Sequence, residues 1–333
     1  MLSLQKAYQI SEIEAWIQSV RELGKLSAST PLVLVVEPKW DGLAVACHYR
    51  HGHLVAGAIR GDGQQGQLVT ANLGTIQSLP VELTKQNSIP QLFEVRGEVV
   101  MSRAQFDALN ETLEKQHKPL FSTPRNAATG SLRQKNPQVT ADRKLDFIAY
   151  SGLLSEAPRE DFSSHWQILE QLAQWGFQVS APRVRCENID CVKAFIDKWS
   201  SERKTFPIET DGVVIKVDSL ALQHQLGATA KTPRWAIAYK YTPQQAETVV
   251  ETIDYSRSSS GRLTPIAVVS PVMINGTTIR RVNLHSLEEM ARLDVRVGDT
   301  VVIHKAGEII PQIVDVVKTK RHPRKRPEPI PKQ

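Results

Sequence analysis

The run Leu32-Val33-Leu34-Val35-Val36-Glu37-Pro38-Lys39-Trp40-Asp41-Gly42 carries a lysine from the end of an apolar stretch into a turn. The apolar, valine-rich part has the length and branching of a buried strand. Lys39 follows where it runs out, with an acid on either side, and Asp41-Gly42 turns the chain into a second strand, Leu43 to Tyr49. A buried strand end is rigid, so Lys39 is held in one place. As the free amine, which desolvation or neighbouring cations favour, a lysine is a nucleophile. A lone lysine at a strand end is more often a surface residue, so the rest of the chain must decide between the two.

The 333 residues can bury at least one large core and have two domains as their natural division. Apolar content of 41% and charged content of 23% are those of an ordinary soluble globular chain. A net charge of +6 suits a polyanionic partner without demanding one. No stretch is long enough to span a bilayer, and the first residues lack the apolar core of a signal peptide, so a cytoplasmic protein without a membrane partner is expected. The three cysteines, Cys47, Cys186 and Cys191, have neither CxxC spacing nor a nearby His pair, which argues against a zinc site. They are also too few for a disulfide framework, and a reducing cytosol fits.

Around the lysine strand the chain alternates helices and strands. Ser11 with Glu14 reads as a capping box opening a helix that ends at Gly24, with Ile13, Trp16, Ile17, Val20 and Leu23 on one face. A hairpin with His51-Gly52 at its tip returns through Leu54 to Ile59 and delivers Arg60-Gly61-Asp62-Gly63. That arginine either meets a phosphate or nucleotide or is a solvated residue in a glycine-rich turn. Leu92 to Val100 alternates as a strand, with Glu94, Arg96 and Glu98 on the face opposite Phe93 and Val95, suited to a polar cleft. A helix capped by Ser102 with Gln105 follows.

The stretch from Phe121 to Gln134 mixes small residues with Arg125 and Arg133, which could hold phosphates. Leu145 to Tyr150 is another strand, and Tyr150 at its end is either core or a stacking surface for a base. Two scaffold helices are marked by Trp166, Leu169, Leu172 and Trp175, and by Val192, Phe195, Ile196 and Trp199.

Two further strands carry lysines: Asp211 to Val217, with Val214 and Lys216 on one face, and Trp235 to Tyr241, with Lys240 near its end. A lysine in an apolar strand costs desolvation energy unless it meets an anion. Three such strands are expected to bring Lys39, Lys216 and Lys240 together on phosphate oxygens. From about Glu247 short strands follow: Thr264 to Val269, a hairpin at Asn275-Gly276, Thr300 to Ala306, and Ile309 to Val317, interrupted by a helix capped by Ser286 with Glu289. Five strands and one helix suit a small oligonucleotide-binding (OB) barrel. Its scattered Arg257, Arg262, Arg280, Arg281, Arg296 and Lys305 are either a solvated face or a nucleic-acid contact. The organisation is therefore α+β: residues 1–246, then an all-β domain of residues 247–317, then a basic, Pro-rich tail, 318–333.

Taken together, these stretches resemble one family. Glu37-Pro38-Lys39-Trp40-Asp41-Gly42 looks like the KxDG motif of covalent nucleotidyltransferases. Arg60 to Gly63, Glu98, the Pro124 to Gln134 run, Asp211 to Val217 and Trp235 to Tyr241 follow in the order of bacterial NAD-dependent DNA ligases. The resemblance implies an ATP-grasp-like nucleotidyltransferase adenylation domain, with antiparallel sheets and flanking helices, ahead of an OB domain. It implies that Lys39 forms a covalent adenylate from NAD and that AMP passes to the 5′-phosphate of nicked duplex DNA. Asp41 would assist Lys39 directly or through Mg2+, for which no carboxylate cage is visible. Ser3, Leu4, Glu37, Arg60, Glu98, Tyr150, Lys216 and Lys240 are implied to hold the nucleotide, and Arg125 and Arg133 phosphates of cofactor or DNA.

The chain starts where the family's helical domain for the nicotinamide half would end, and it lacks the family's zinc module, helix-hairpin-helix repeats and BRCT domain. A second polypeptide supplying the helical domain is one expectation, and a piece of a longer ligase is the other. Ser258-Ser259-Ser260-Gly261 stands where the family has a Gly-Arg-Thr/Ser-Gly turn. A non-catalytic nick-binding remnant and an RNA ligase or capping-type enzyme are the competing expectations.

Overall fold

The computed structural model describes residues 1–27, 29–61, 66–83, 89–154, 162–241, 245–257, 263–274, 277–306 and 310–321. Asp62-Gly63, Ser258 to Arg262, Asn275-Gly276 and the tail beyond Arg321 lie outside them. The chain forms two compact units, residues 1–241 and 242–333.

The first unit contains β1 (Gln5–Ala7), α1 (Ile10–Leu23), β2 (Leu34–Trp40), β3 (Leu43–Arg50), β4 (His53–Ile59), α2 (Thr70–Leu73), β5 (Leu92–Val100), α3 (Arg103–Lys115), α4 (Pro124–Leu132) and α5 (Pro137–Asp142). It continues with β6 (Asp146–Leu154), α6 (His165–Gln174), β7 (Val184–Cys186), α7 (Ile189–Glu202), β8 (Thr210–Val217), α8 (Leu220–Leu226) and β9 (Ala236–Lys240). Two sheets result. One has the order β1-β9-β8-β2-β7, antiparallel except for the β1–β9 pair, and the other runs β4-β3-β5-β6, antiparallel throughout.

Each sheet buries one apolar face under helices. In the first, Leu34, Val36, Val213, Ile215, Val217 and Ile237 share a core with Ile13, Trp16 and Val20 of α1 and Val192, Ile196 and Trp199 of α7. In the second, Val45, Cys47, Tyr49, Phe93, Val95, Val99 and Phe147 pack with Ala127, Ala128 and Leu132 of α4 and Leu169 and Leu172 of α6. Because side chains alternate along a strand, the opposite faces of both sheets are left for other work.

The hairpin between β3 and β4 turns through His51 and Gly52, both at positive φ (49° and 79°), as a two-residue turn of primed type requires. The expected caps at Ser102 and Ser286 are present, accepting from the backbone N–H of Gln105 and Glu289. The first helix departs from expectation. It starts two residues earlier, its capping box is Gln9 with Glu12, and Leu23 is exposed. A capping box can be read two residues late when Glu recurs at spacing two, as Glu12 and Glu14 do here.

The cysteines also depart from expectation. Cys186 and Cys191 are joined in a disulfide, and only Cys47 is free. Cys186 ends β7, and the turn capped by Asn188 brings the first turn of α7 back, so that the two Cα atoms lie 5.4 Å apart. A count of cysteines cannot show that proximity. The closed loop is short, so Cys191→Ser is expected to lower stability by no more than about 2 kcal/mol, checked by denaturant midpoints with and without reductant.

The second unit contains β10 (Gln245–Arg257), β11 (Leu263–Ile274), β12 (Thr277–Asn283), α9 (Leu287–Leu293), β13 (Thr300–Ala306) and β14 (Ile310–Val316), in the sheet order β12-β11-β10-β13-β14. β10 pairs with β13 through Val249 and with β11 from Val250 onward, with a bulge between Val250 and Thr252. One long strand thus serves both halves of a coiled sheet. The outer strands β12 and β14 approach one another, with no ladder between them among the described residues. Val250, Ile279, Val282, Met290, Val301 and Ile303 fill the interior.

Candidate active site

The strand register places the three lysines. Lys39 of β2 lies opposite Gly212 of β8, and Gly212 lies opposite Lys240 of β9. Glu37 is opposite Val214, and Lys216 is opposite Val35. Alternation then puts Glu37, Lys39, Lys216 and Lys240 on the face turned away from the α1–α7 core. On the second sheet, Glu94, Arg96 and Glu98 likewise share the face opposite Phe93 and Val95, which belong to the other core.

Asp211 ties two of the lysines together. Its carboxylate lies 2.9 Å from Lys39 Nζ and 2.8 Å from Lys240 Nζ. Burial acts to raise its pKa, but the two ammonium groups outweigh this, and the carboxyl sits below its usual value. Asp41 is buried beside it and accepts a hydrogen bond of 2.8 Å from Arg125 Nη1, at the start of α4. Thr123 caps that helix and Pro124 occupies its first turn, which fixes where Arg125 projects. Burial, with the Asp211 charge, still leaves Asp41 above the usual carboxylate range.

Glu98 is partly buried, and its carboxyl makes no hydrogen bond or ion pair among the described residues. Burial pushes it up to about 7, with Lys39 and Arg125 opposing and Asp41 and Asp211 adding to the rise. Glu98 therefore lies within electrostatic reach of Lys39, Asp41, Arg125 and Asp211. Because the folded state binds the proton more tightly than the ordinary value of 4.5 allows, Glu98 makes stability fall as pH rises from about 4.5 to about 7, and level off above. Glu98→Gln should flatten that segment of the stability–pH curve, measured as denaturation midpoints across it.

Lys216 belongs to a second, adjoining group. It is buried, forms an ion pair with Glu37, donates to the Tyr150 carbonyl at 2.7 Å, and has His165 Nε2 at 3.3 Å. Its Nζ also lies 5.3 Å from the centre of the Tyr150 ring. Glu37 is buried, and its Oε2 has no hydrogen-bond partner. The lysines thus share one sheet face, but only Lys39 and Lys240 share a carboxylate.

Of the other expected residues, Ser3 Oγ accepts from Arg60 Nη2 at 2.6 Å, joining the N-terminal stretch to the end of β4. Leu4 lies directly before β1, partly buried. Arg133 is exposed at the far end of α4, about 12 Å along the helix axis from Arg125, so it does not join this group. Two residues escaped the sequence. Asp211 was only the opening of a strand there, although an acid flanking the glycine opposite Lys39 is a usable signal. His165 lay among the apolar residues of α6 with no polar neighbour to mark it. Among the described residues, no cluster of His, Cys, Asp and Glu is placed to hold a metal ion, and no helix is long and apolar enough to cross a membrane.

Both units have counterparts among known proteins. Residues 1–244 match the NAD-dependent DNA ligase adenylation domain, and residues 247–325 the NAD-dependent DNA ligase OB-fold domain. Curated relatives named DNA ligase include those of Dehalococcoides mccartyi (43% identical, covering 98% of this chain and 47% of the relative), Solibacter usitatus (45%, 95% and 46%) and Marinobacter nauticus (42%, 96% and 47%). The chain thus spans about half the length of the curated relatives it matches. Two solved structures share the fold. One is described as "Pmar-Lig_Pre." (TM-score 0.54, 14% identity, 95% of this chain and 67% of that one), and the other comes from work on Lig E DNA ligases (TM-score 0.51, 12%, 95% and 99%). With its two lysines on one carboxylate and both family domains in order, this chain belongs to the NAD-dependent DNA ligase family.

Proposed function

We propose that the chain is a DNA ligase core that takes AMP from NAD onto Lys39 and uses it to seal nicks in duplex DNA. The observation that carries this is the placement of Lys39 Nζ beside Lys240 on the shared Asp211 carboxylate, at the end of a buried strand. Asp211 is the nearest acceptor for the proton Lys39 must lose before it is nucleophilic. The free amine attacks the adenylyl phosphorus, a P–N bond forms, and nicotinamide mononucleotide leaves with the electrons of the broken P–O bond. An oxygen of the DNA 5′-phosphate then attacks the same phosphorus and returns the lysine amine. Finally the 3′-hydroxyl attacks the 5′-phosphate, loses its proton, and expels AMP.

Lys240 and Arg125 face the charge that builds up on phosphate oxygens, and positioned cations of this kind supply most of the catalysis in such transfers. Glu37 Oε2, buried without a donor, suits the exocyclic amine of adenine. Tyr150, Ser3, Leu4, Arg60 and Glu98 complete the proposed nucleotide site. Arg133 is assigned to DNA, outside that site. Among the described residues no cage of carboxylates for magnesium is present. The ion would rest on substrate phosphates and water, with the unpaired Glu98 as the available carboxylate. The reaction is expected in the cytoplasm. Its NAD step is expected to need a polypeptide gripping the nicotinamide half, joined to this chain or separate.

Two substrates test the proposal: NAD labelled at the adenylyl phosphate, and a pre-adenylated nick. A labelled band surviving denaturation and closure of the nick are the expected results. If neither forms, with or without a candidate partner, the chain is not a working ligase core.

A further inference from the structure

We propose that His165 is a positioning residue of the nucleotide site, one that holds Lys216, and through it Glu37, by accepting an N–H on its bare Nε2. The inference rests on the nucleotide-binding reading above and extends it to a residue of a scaffold helix. Lys216 has three N–H donors as an ammonium, and three acceptors surround it: Glu37, the Tyr150 carbonyl oxygen at 2.7 Å and His165 Nε2 at 3.3 Å. An ammonium has no lone pair to offer, so a ring nitrogen in contact with it must be unprotonated. The remaining ring proton of a neutral imidazole then sits on Nδ1.

His165 itself is fixed. It is 3% exposed, and its backbone N–H donates to the Asp218 carbonyl at 2.7 Å. It follows the Ser164 cap, so helix geometry sets its direction. The charged and titratable neighbours facing it are Lys216 on β8 and Arg183 before β7, with Glu37 and Tyr150 behind Lys216. Burial and the two cations keep the imidazole neutral, since they hold its pKa well below the ordinary value. With all three donors of Lys216 taken, Glu37 Oε2 is still able to receive a hydrogen bond. Thus His165 does not touch the nucleotide. It sets the position of the pair that does.

The test has two arms on the full chain. Nitrogen NMR of the histidines should show His165 with Nε2 bare and Nδ1 protonated, unchanged from pH 8 to about 5.5. This spectrum reads the tautomer whether or not the protein turns over, so failure of the ligase proposal and failure of this inference are separate results. In the second arm, His165→Leu should raise the nucleotide concentration for half-saturation by roughly tenfold or more, with less effect on the maximal rate of lysyl-adenylate formation. His165→Gln, whose amide oxygen can replace Nε2 as the acceptor, should recover most of that loss. A protonated Nε2, or a folded Leu variant that binds nucleotide as the parent does, would overturn the proposal.

Discussion

Lys39→Ala should leave no nucleotide covalently attached to the chain, a fall of at least about a thousandfold in adenylate formed. Lys39→Arg should do the same, because a guanidinium stays protonated and offers no lone pair. The measurement is label retained on the denatured protein after incubation with adenylyl-labelled NAD. Closure of a pre-adenylated nick separates chemistry from folding. No bond to Lys39 forms in that step, so sealing should persist at a reduced rate, slowed by the missing cation. The fold should also survive, because Asp211 keeps Lys240 at 2.8 Å as its partner when Lys39 is gone. Covalent label of normal intensity on the Ala variant would remove Lys39 from its assigned role.

The second large effect is structural and lies one strand away. A Cβ added at Gly212 would overlap the carbonyl oxygen of Tyr239 and crowd Lys240 Cα at 3.3 Å. Both are backbone atoms of the neighbouring strand, so no side-chain rotation relieves the clash. Gly212→Ala is therefore expected to cost about 3 kcal/mol or more and to push β9 away from β8. Lys240 would then leave Asp211, and adenylate formation should fall together with stability. Gly74→Ala is the matched control. That glycine ends α2 at a negative φ with its nearest neighbours at 3.6 Å, an ordinary contact. Chemical denaturation of the two variants beside the parent decides the matter, and equal midpoints for both would refute the strand-contact account.

Much of this molecule was legible in the residues. The alternation in Leu92 to Val100 put Glu94, Arg96 and Glu98 on one face, and the cores formed by Phe93 and Val95 bear that out. The lysine strands, the order of the motifs and the five-stranded second unit were legible in the same way. What failed depended on contacts between distant segments. Cys186 and Cys191 pair because a capped turn folds α7 back on β7. Arg125 and Arg133 look equivalent in a small-residue loop, yet the loop is largely helix, and its rise carries them apart.

By itself the sequence determined which side chains share a face, because a period of two is a local property of each strand. It also determined the family, because six motifs stand in register along one chain. Only the tertiary structure decided the partners. Lys39 and Lys240 meet on Asp211, whereas Lys216 turns to Glu37, Tyr150 and His165. That division follows from the register between β2, β8 and β9 and from α6 lying against the second sheet. Strand register and helix docking are set by the packing of whole elements, which no single stretch of residues encodes.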